Sequence, residues 1–304
     1  STSTSTSTVD ASTVDLSTID HRPIDHRPST DRPSTIYRST LDASTPDDML
    51  LVPAGSFTMG RDAGGEADEH PAHVVTLDAF FLDKTPVTNA KYLECVAAKK
   101  CRRYDAAVAS RNHAGDDALF RGPNQPVDGV SWDDAKTYCA WQGKRLPREA
   151  EYERAIRDDD GRMFPWGNAE PTPDRAVFGK RYGGGATEDV GTHPNGRGPY
   201  GHDDLAGNVW EWVEDEYDPV AYTRAGASRG EPGSCAEILA TLVKLRDSRV
   251  EGFTGSNPVP NTCEHVLRGG AYNYGPFGLR ATNRVHHPGM FRLVMSGFRC
   301  AKTP

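Results

Sequence analysis

Cys95, Cys101, Cys139, Cys235, Cys263 and Cys300 are the six cysteines of the chain. Thiols so placed can close disulfides, hold a soft metal, or stay reduced as small apolar side chains. The spacings lack the short two-residue gaps of structural zinc sites. An even count without remainder favours disulfides and an oxidising compartment over buried free thiols. Histidines offer a second chemistry. His70 and His73 precede an apolar run, His202 stands apart, and His286-His287 come just before Pro288-Gly289. No third ligand accompanies either pair in sequence, so turn and surface roles are expected. A third constellation is Trp210-Glu211-Trp212. In an extended segment, alternation places both indoles on one face and the carboxylate on the other.

These residues need a frame to position them. The 304 residues suffice for one large domain or two small ones. Lys and Arg total 35 against 43 Asp and Glu, a net charge of -8, which argues against a nucleic-acid partner. No stretch approaches the roughly 18 consecutive apolar residues of a membrane span. Ser1 is followed by neither a basic region nor an apolar one, so the chain reads as a mature product after signal-peptide removal. Residues 1–48 form a Ser/Thr/Pro-rich segment with a five-residue period, as in Ile19-Asp20-His21-Arg22-Pro23 and Ile24-Asp25-His26-Arg27-Pro28. That period fits neither helix nor strand, and its prolines remove backbone donors. An extended arm is expected, either a stalk that can carry O-linked glycans or an arm that joins copies into a multimer or fibre.

From Met49 the composition becomes that of a folded domain. Leu50 to Gly60 reads as a strand, a glycine turn and a second strand, and His73 to Leu82 as another strand. Helices are expected over Asn89 to Lys99, over Ser131 to Gln142 with a capping-box-like Ser131-Trp132-Asp133-Asp134 start, and over Arg148 to Arg157. Gly and Pro density beyond that predicts long ordered loops, with an insertion at about 220–262.

Four segments now stand in order: Leu51 to Gly60, Gly143-Lys144-Arg145-Leu146-Pro147-Arg148-Glu149, Ala206-Gly207-Asn208-Val209-Trp210-Glu211-Trp212, and Leu267-Arg268-Gly269-Gly270 with Ser296-Gly297-Phe298-Arg299-Cys300. Together they resemble the sulfatase-modifying, formylglycine-generating enzyme family, over residues 49–304. The resemblance implies an α+β fold, C-type-lectin-like in outline, with short strands and a few helices. It also implies a calcium site in which Asp204 and Glu211 offer carboxylates while Gly207 and Val209 offer carbonyls, water completing the hard-oxygen shell. The family commonly has Asn where Asp204 stands. A second calcium loop should precede this one, but Ala176 to Val190 departs from the pattern and leaves Asp189 as a candidate ligand.

The family's oxidase chemistry, as the resemblance implies it, uses two cysteines shortly after Arg-Gly-Gly to bind copper(I) and activate dioxygen. Here Ala271 to Arg280 contains no Cys, His or Met. No copper is expected, and formylglycine formation is not. Cys139 and Cys300 match the positions of a structural disulfide in some family members. Cys95 and Cys101 can pair only if the helix ends between them, and pairing of Cys235 with Cys263 would pin the insertion. The expected function is an exported noncatalytic binding or structural domain, secreted, periplasmic or on the cell surface. Tyr272, Asn273, Tyr274 and Arg284 would line a surface for a glycan or protein. The alternative is a periplasmic or secreted oxidoreductase using other residues.

Overall fold

Apolar alternation interrupted by Pro and Gly gives short strands, which among the described residues collect in three small sheets. The computed structural model describes residues 48–104, 117–181, 184–248 and 262–304. The N-terminal arm and part of the insertion lie outside them. Strands β1 (Met49–Val52) and β2 (Gly55–Met59) are neighbours in sequence but not in a ladder. Pro53 lacks an amide donor and redirects the chain between them. The expected strand over 73–82 likewise divides at Asp78-Ala79 into β3 (His73–Leu77) and β4 (Phe80–Asp83). β2 pairs antiparallel with β3, while β1 pairs with β4, whose other edge takes the C-terminal β9 (Ala301–Lys302).

The third sheet has the order β7-β6-β5-β8, made of β5 (Trp210–Glu216), β6 (Glu264–Arg268), β7 (Val285–Pro288) and β8 (Ser296–Gly297). Its β5–β8 pair is parallel and the others antiparallel. β5 divides the interior. Trp210 and Trp212 enter a core with Tyr92, Tyr138, Cys139 and Phe298, whereas Val213 joins Phe57, Val75, Tyr152 and Ile156. The indoles share a face as alternation predicts. Glu211, however, is fully buried on the other face.

Helix α1 (Asn89–Ala97) starts at Thr88, whose hydroxyl accepts from Lys91 N. Helix α2 (Trp132–Trp141) has the expected capping box: Ser131 Oγ accepts from Asp134 N, and Asp134 Oδ2 from Ser131 N. Helix α3 (Glu149–Arg157) is buried along its whole length, including its charged residues. A further helix, α4 (Cys235–Ser248), lies in the insertion, a region where long ordered loops were expected to outweigh regular structure. Cys95 bonds Cys101 just past the end of α1, Cys139 of α2 bonds Cys300, and Cys235 at the start of α4 bonds Cys263. No helix of the described residues is long and apolar enough to cross a membrane.

Candidate functional site

The turn leading into β5 carries the oxygen-rich residues. Asp204 and Asn208 adopt left-handed φ of 52° and 66°, and Gly207 has φ 87°. A Cβ on Gly207 would lie 2.6 Å from Val177 O, so the close approach of backbones there requires glycine. Asn208 ties three segments together. Its N donates to Val177 O and its carbonyl accepts from Tyr272 N, while its amide exchanges hydrogen bonds with the Glu188 backbone at 3.0 and 3.1 Å. Gly207 N donates to Gly269 O. At Gly269, with φ 94°, a Cβ would stand 2.6 Å from the Tyr152 hydroxyl.

Below the turn, Arg299 forms a two-pronged contact with Glu211: Nε to Oε2 at 2.7 Å and Nη2 to Oε1 at 2.8 Å. Nη2 also donates to the carbonyls of Asp203 and Asp204, and the Tyr152 hydroxyl donates to Glu211 Oε1 at 3.0 Å. Burial opposes the charge on Arg299, but Glu211 outweighs it and holds the guanidinium protonated. Asp204 differs. Its Oδ2 accepts from Gly191 N at 2.6 Å, and no cationic side chain of the described residues forms an ion pair with it. Burial pushes its carboxyl up to about 6.

Those contacts test the expected calcium set. Asp204 fits a hard cation, being a buried carboxylate that no cationic side chain of the described residues pairs with directly. The carbonyls of Gly207 and Val209 fit too, since among the described residues no hydrogen bond from the surrounding turns and loops ends on them. Glu211 fits poorly, because Arg299 and Tyr152 already occupy both of its oxygens. In the preceding loop Asp189 is exposed. The charge beside Glu188 is Lys180, whose ammonium donates to Glu188 Oε1 at 2.7 Å and to Ala186 O at 3.0 Å.

The expected ligand surface is only partly a surface. Tyr272 is buried with Phe120, Val177 and Val294. Arg284 is buried on Glu149, with Nε–Oε1 at 2.7 Å and Nη2–Oε2 at 2.9 Å, and also donates to the carbonyls of Asp68 and Asp218. Both must be removed from the lining. Their partners lie far off in sequence, so a local reading sees only polar loop residues. Asn273 and Tyr274 remain half-buried, and Tyr274 sits edge-on to Trp210 and beside the exposed Phe277.

The histidines do not assemble. His70 bonds Gly64 O, His286 pairs with Glu264, and His202 is buried, burial holding its pKa down to about 3. Among the described residues, the one group of three ligand-type side chains is Glu216, Cys235 and Cys263, whose sulfurs are joined to each other. All six cysteines are disulfide-bonded.

Comparison with known proteins gives a consistent relation. Residues 37–304 match the family described as the sulfatase-modifying factor enzyme 1-like domain. The serine/threonine-protein kinase pkn1 of Chlamydia pneumoniae is 34% identical over 84% of this chain, which spans only 38% of the kinase's length. An inactive C-alpha-formylglycine-generating enzyme 2 of Bos taurus is 36% identical over 56% of this chain and 71% of its own. The structure of PvdO from Pseudomonas aeruginosa superposes with a TM-score of 0.63 at 28% identity, covering 84% of this chain and 94% of PvdO.

Proposed function

This chain belongs to the sulfatase-modifying factor enzyme 1-like family and has its α+β formylglycine-generating-enzyme fold, and on that premise we propose that it is an exported, noncatalytic binding or structural domain. The observation that carries this reading is the thiol inventory. The segment after Arg268-Gly269-Gly270 has no cysteine, and every cysteine elsewhere is held in a disulfide. Copper(I) chemistry needs soft thiolates, and this loop presents Asn273 and Tyr274 instead. The bovine relative, called inactive, is consistent with a family member that keeps the fold without the reaction.

Asp204 with the carbonyls of Gly207 and Val209 would hold calcium, water filling the remaining positions. The ion would supply a direct counter-charge to Asp204 and stiffen the turn that Asn208 joins to the Tyr272 backbone. Asn273, Tyr274 and Phe277 would then present a polar-aromatic patch to a glycan or protein. Residues 1–48 would join copies into a multimer or fibre.

The test incubates the protein in air with a cysteine-bearing sulfatase peptide and copper(I), followed by mass spectrometry. The peptide should remain a thiol, and an aldehyde product would overturn the reading. Stoichiometric copper or iron in the isolated protein would favour the oxidoreductase alternative. Removal of residues 1–48 should reduce particle size, and an unchanged size would dispose of the assembly role.

A further inference from the structure

We propose that the base of the insertion is a redox-gated metal site: once Cys235–Cys263 is reduced, the two thiolates and the Glu216 carboxylate bind zinc, with water in the fourth position. The site stands apart from the calcium turn and from the Tyr274 patch, so it does not depend on what either binds. A carboxylate oxygen of Glu216 and the two sulfurs all lie within 4.8 Å of one another. Zinc bonds of about 2.3 Å to sulfur and about 2.0 Å to oxygen place tetrahedral ligands about 3.5–3.8 Å apart. The three atoms therefore need little movement to close on one ion. The Glu216 carboxylate forms no ion pair among the described residues, since Lys136 is held by Glu214 and His286 by Glu264.

Two of the three ligands stand on hydrogen-bonded strands. Glu216 ends β5 opposite His265 of β6, and Tyr217 N donates to Glu264 O at 2.6 Å, which fixes Cys263 just before β6. The third ligand, Cys235, begins α4, and other contacts hold that helix when the sulfur bond opens. Arg224 pairs with the buried Asp218 and donates through Nη2 to Thr241 Oγ1 of α4 at 3.0 Å. Gly233 N donates to the same Asp218 at 3.4 Å, and Ile238 of α4 is only 1% exposed. Reduction thus frees the sulfurs without scattering them. The separation of 28 residues between the cysteines carries no zinc spacing, because the third ligand arrives from another strand.

Access singles out this disulfide for reduction. Cys235 and Cys263 are both part-exposed, whereas Cys95, Cys139 and Cys300 are fully buried, so each of the other two bonds hides at least one sulfur. Thiol exchange needs a path to a sulfur. A dithiol reductant attacks one sulfur, forms a mixed disulfide and leaves as its own cyclic disulfide, having given two electrons and two protons to Cys235 and Cys263. Zinc then displaces both thiol protons to solvent as the two metal–sulfur bonds form.

The donor set selects the metal. Two thiolates alone suit copper(I), but a carboxylate beside them favours a borderline divalent ion, and zinc accepts both sulfur and oxygen. Cys235 is the first residue of α4, where the helix dipole favours negative charge on its sulfur. Disulfide and zinc are then alternative clasps on the same three elements, and the insertion stays closed in both redox states.

The test keeps the full chain saturated with calcium, reduces it with a phosphine under nitrogen until two thiols per chain appear, and removes the reductant by gel filtration. Alkylation and mass spectrometry should place both thiols at Cys235 and Cys263. Dialysis against zinc should then load one ion per reduced chain and none above background on the disulfide form. Cobalt(II) in place of zinc should give the sulfur charge-transfer band and the visible bands of a tetrahedral ion. Glu216→Gln should weaken zinc binding about tenfold or more while leaving both thiols countable. Equal zinc uptake by the two redox forms would overturn the proposal, as would thiols appearing first at other cysteines or undiminished affinity in Glu216→Gln. Should that variant fail to fold, the two redox forms of the unaltered chain decide without it.

Discussion

Asp204 and Glu211 are carboxylates on one turn-and-strand unit, both buried, yet their electrostatic situations are opposite. Glu211 has a fixed cation in direct contact, Arg299, whereas Asp204 accepts from the Gly191 amide and feels Arg299 only at longer range. The folded-state pKa of Asp204, about 6, exceeds its ordinary 3.8. Between those values the folded protein holds a proton that the unfolded chain has lost. In chelator, stability should therefore fall as pH rises from about 4 to about 6, by up to about 3 kcal/mol. A bound divalent cation selects the ionised form and reverses the sign, so stability with calcium should rise through the same window. Thermal melts from about pH 4 to 7 with EDTA and with calcium measure this. Parallel curves would remove the cation from Asp204, and Asp204→Asn should flatten both. The sequence pointed to these oxygens but not to their difference. Alternation places Glu211 opposite the indoles and by default in water, whereas β5 is covered on both faces and the partner comes from residue 299.

At the level of elements, glycine in the Arg268-Gly269-Gly270 turn is set by contact as well as by φ. Gly143 offers the comparison: its φ is 67°, and a Cβ there would meet nothing within 4 Å. Gly143→Ala should cost about 1 kcal/mol from backbone strain alone. Gly269→Ala adds a collision with Tyr152, whose hydroxyl is bonded to Glu211, so a loss of about 3 kcal/mol or more is expected. Urea denaturation of the two variants separates strain from collision, and equal losses would show that the turn yields freely. Such turns are legible as Gly-Gly, and the Ser131 capping box was legible from its spacing. The start of α4 carried a comparable signal, Ser234 and Glu237 exchanging hydrogen bonds across Ser-x-x-Glu, which the density of Gly and Pro around it obscured. The split of 73–82 into two sheets has no local signal, because β1 and β2 compete for it from a distance.

Across the whole molecule, the disulfides act on very different lengths of chain. Cys95–Cys101 spans 6 residues, Cys235–Cys263 spans 28, and Cys139–Cys300 spans 161. If they work mainly by restricting the unfolded chain, the longest should contribute about 5 kcal/mol and the shortest about 2. Cys139 belongs to the core that holds Trp210, Trp212 and Phe298, and Cys300 N donates to Asp83 Oδ2 beside β9. The long bond thus joins α2 to the strand pair that closes the chain, beside the two backbone hydrogen bonds that Arg145 exchanges with Ala301. Alkylation of the native protein without reductant should label none of the cysteines. Paired substitution Cys139→Ala with Cys300→Ala should lower the unfolding free energy in urea by about 3 kcal/mol more than Cys95→Ala with Cys101→Ala, the difference between the two chain-entropy values. Equal losses would mean that the bonds act through native packing around each sulfur, and the position of Cys300 next to β9 would then matter more than the length of chain it closes.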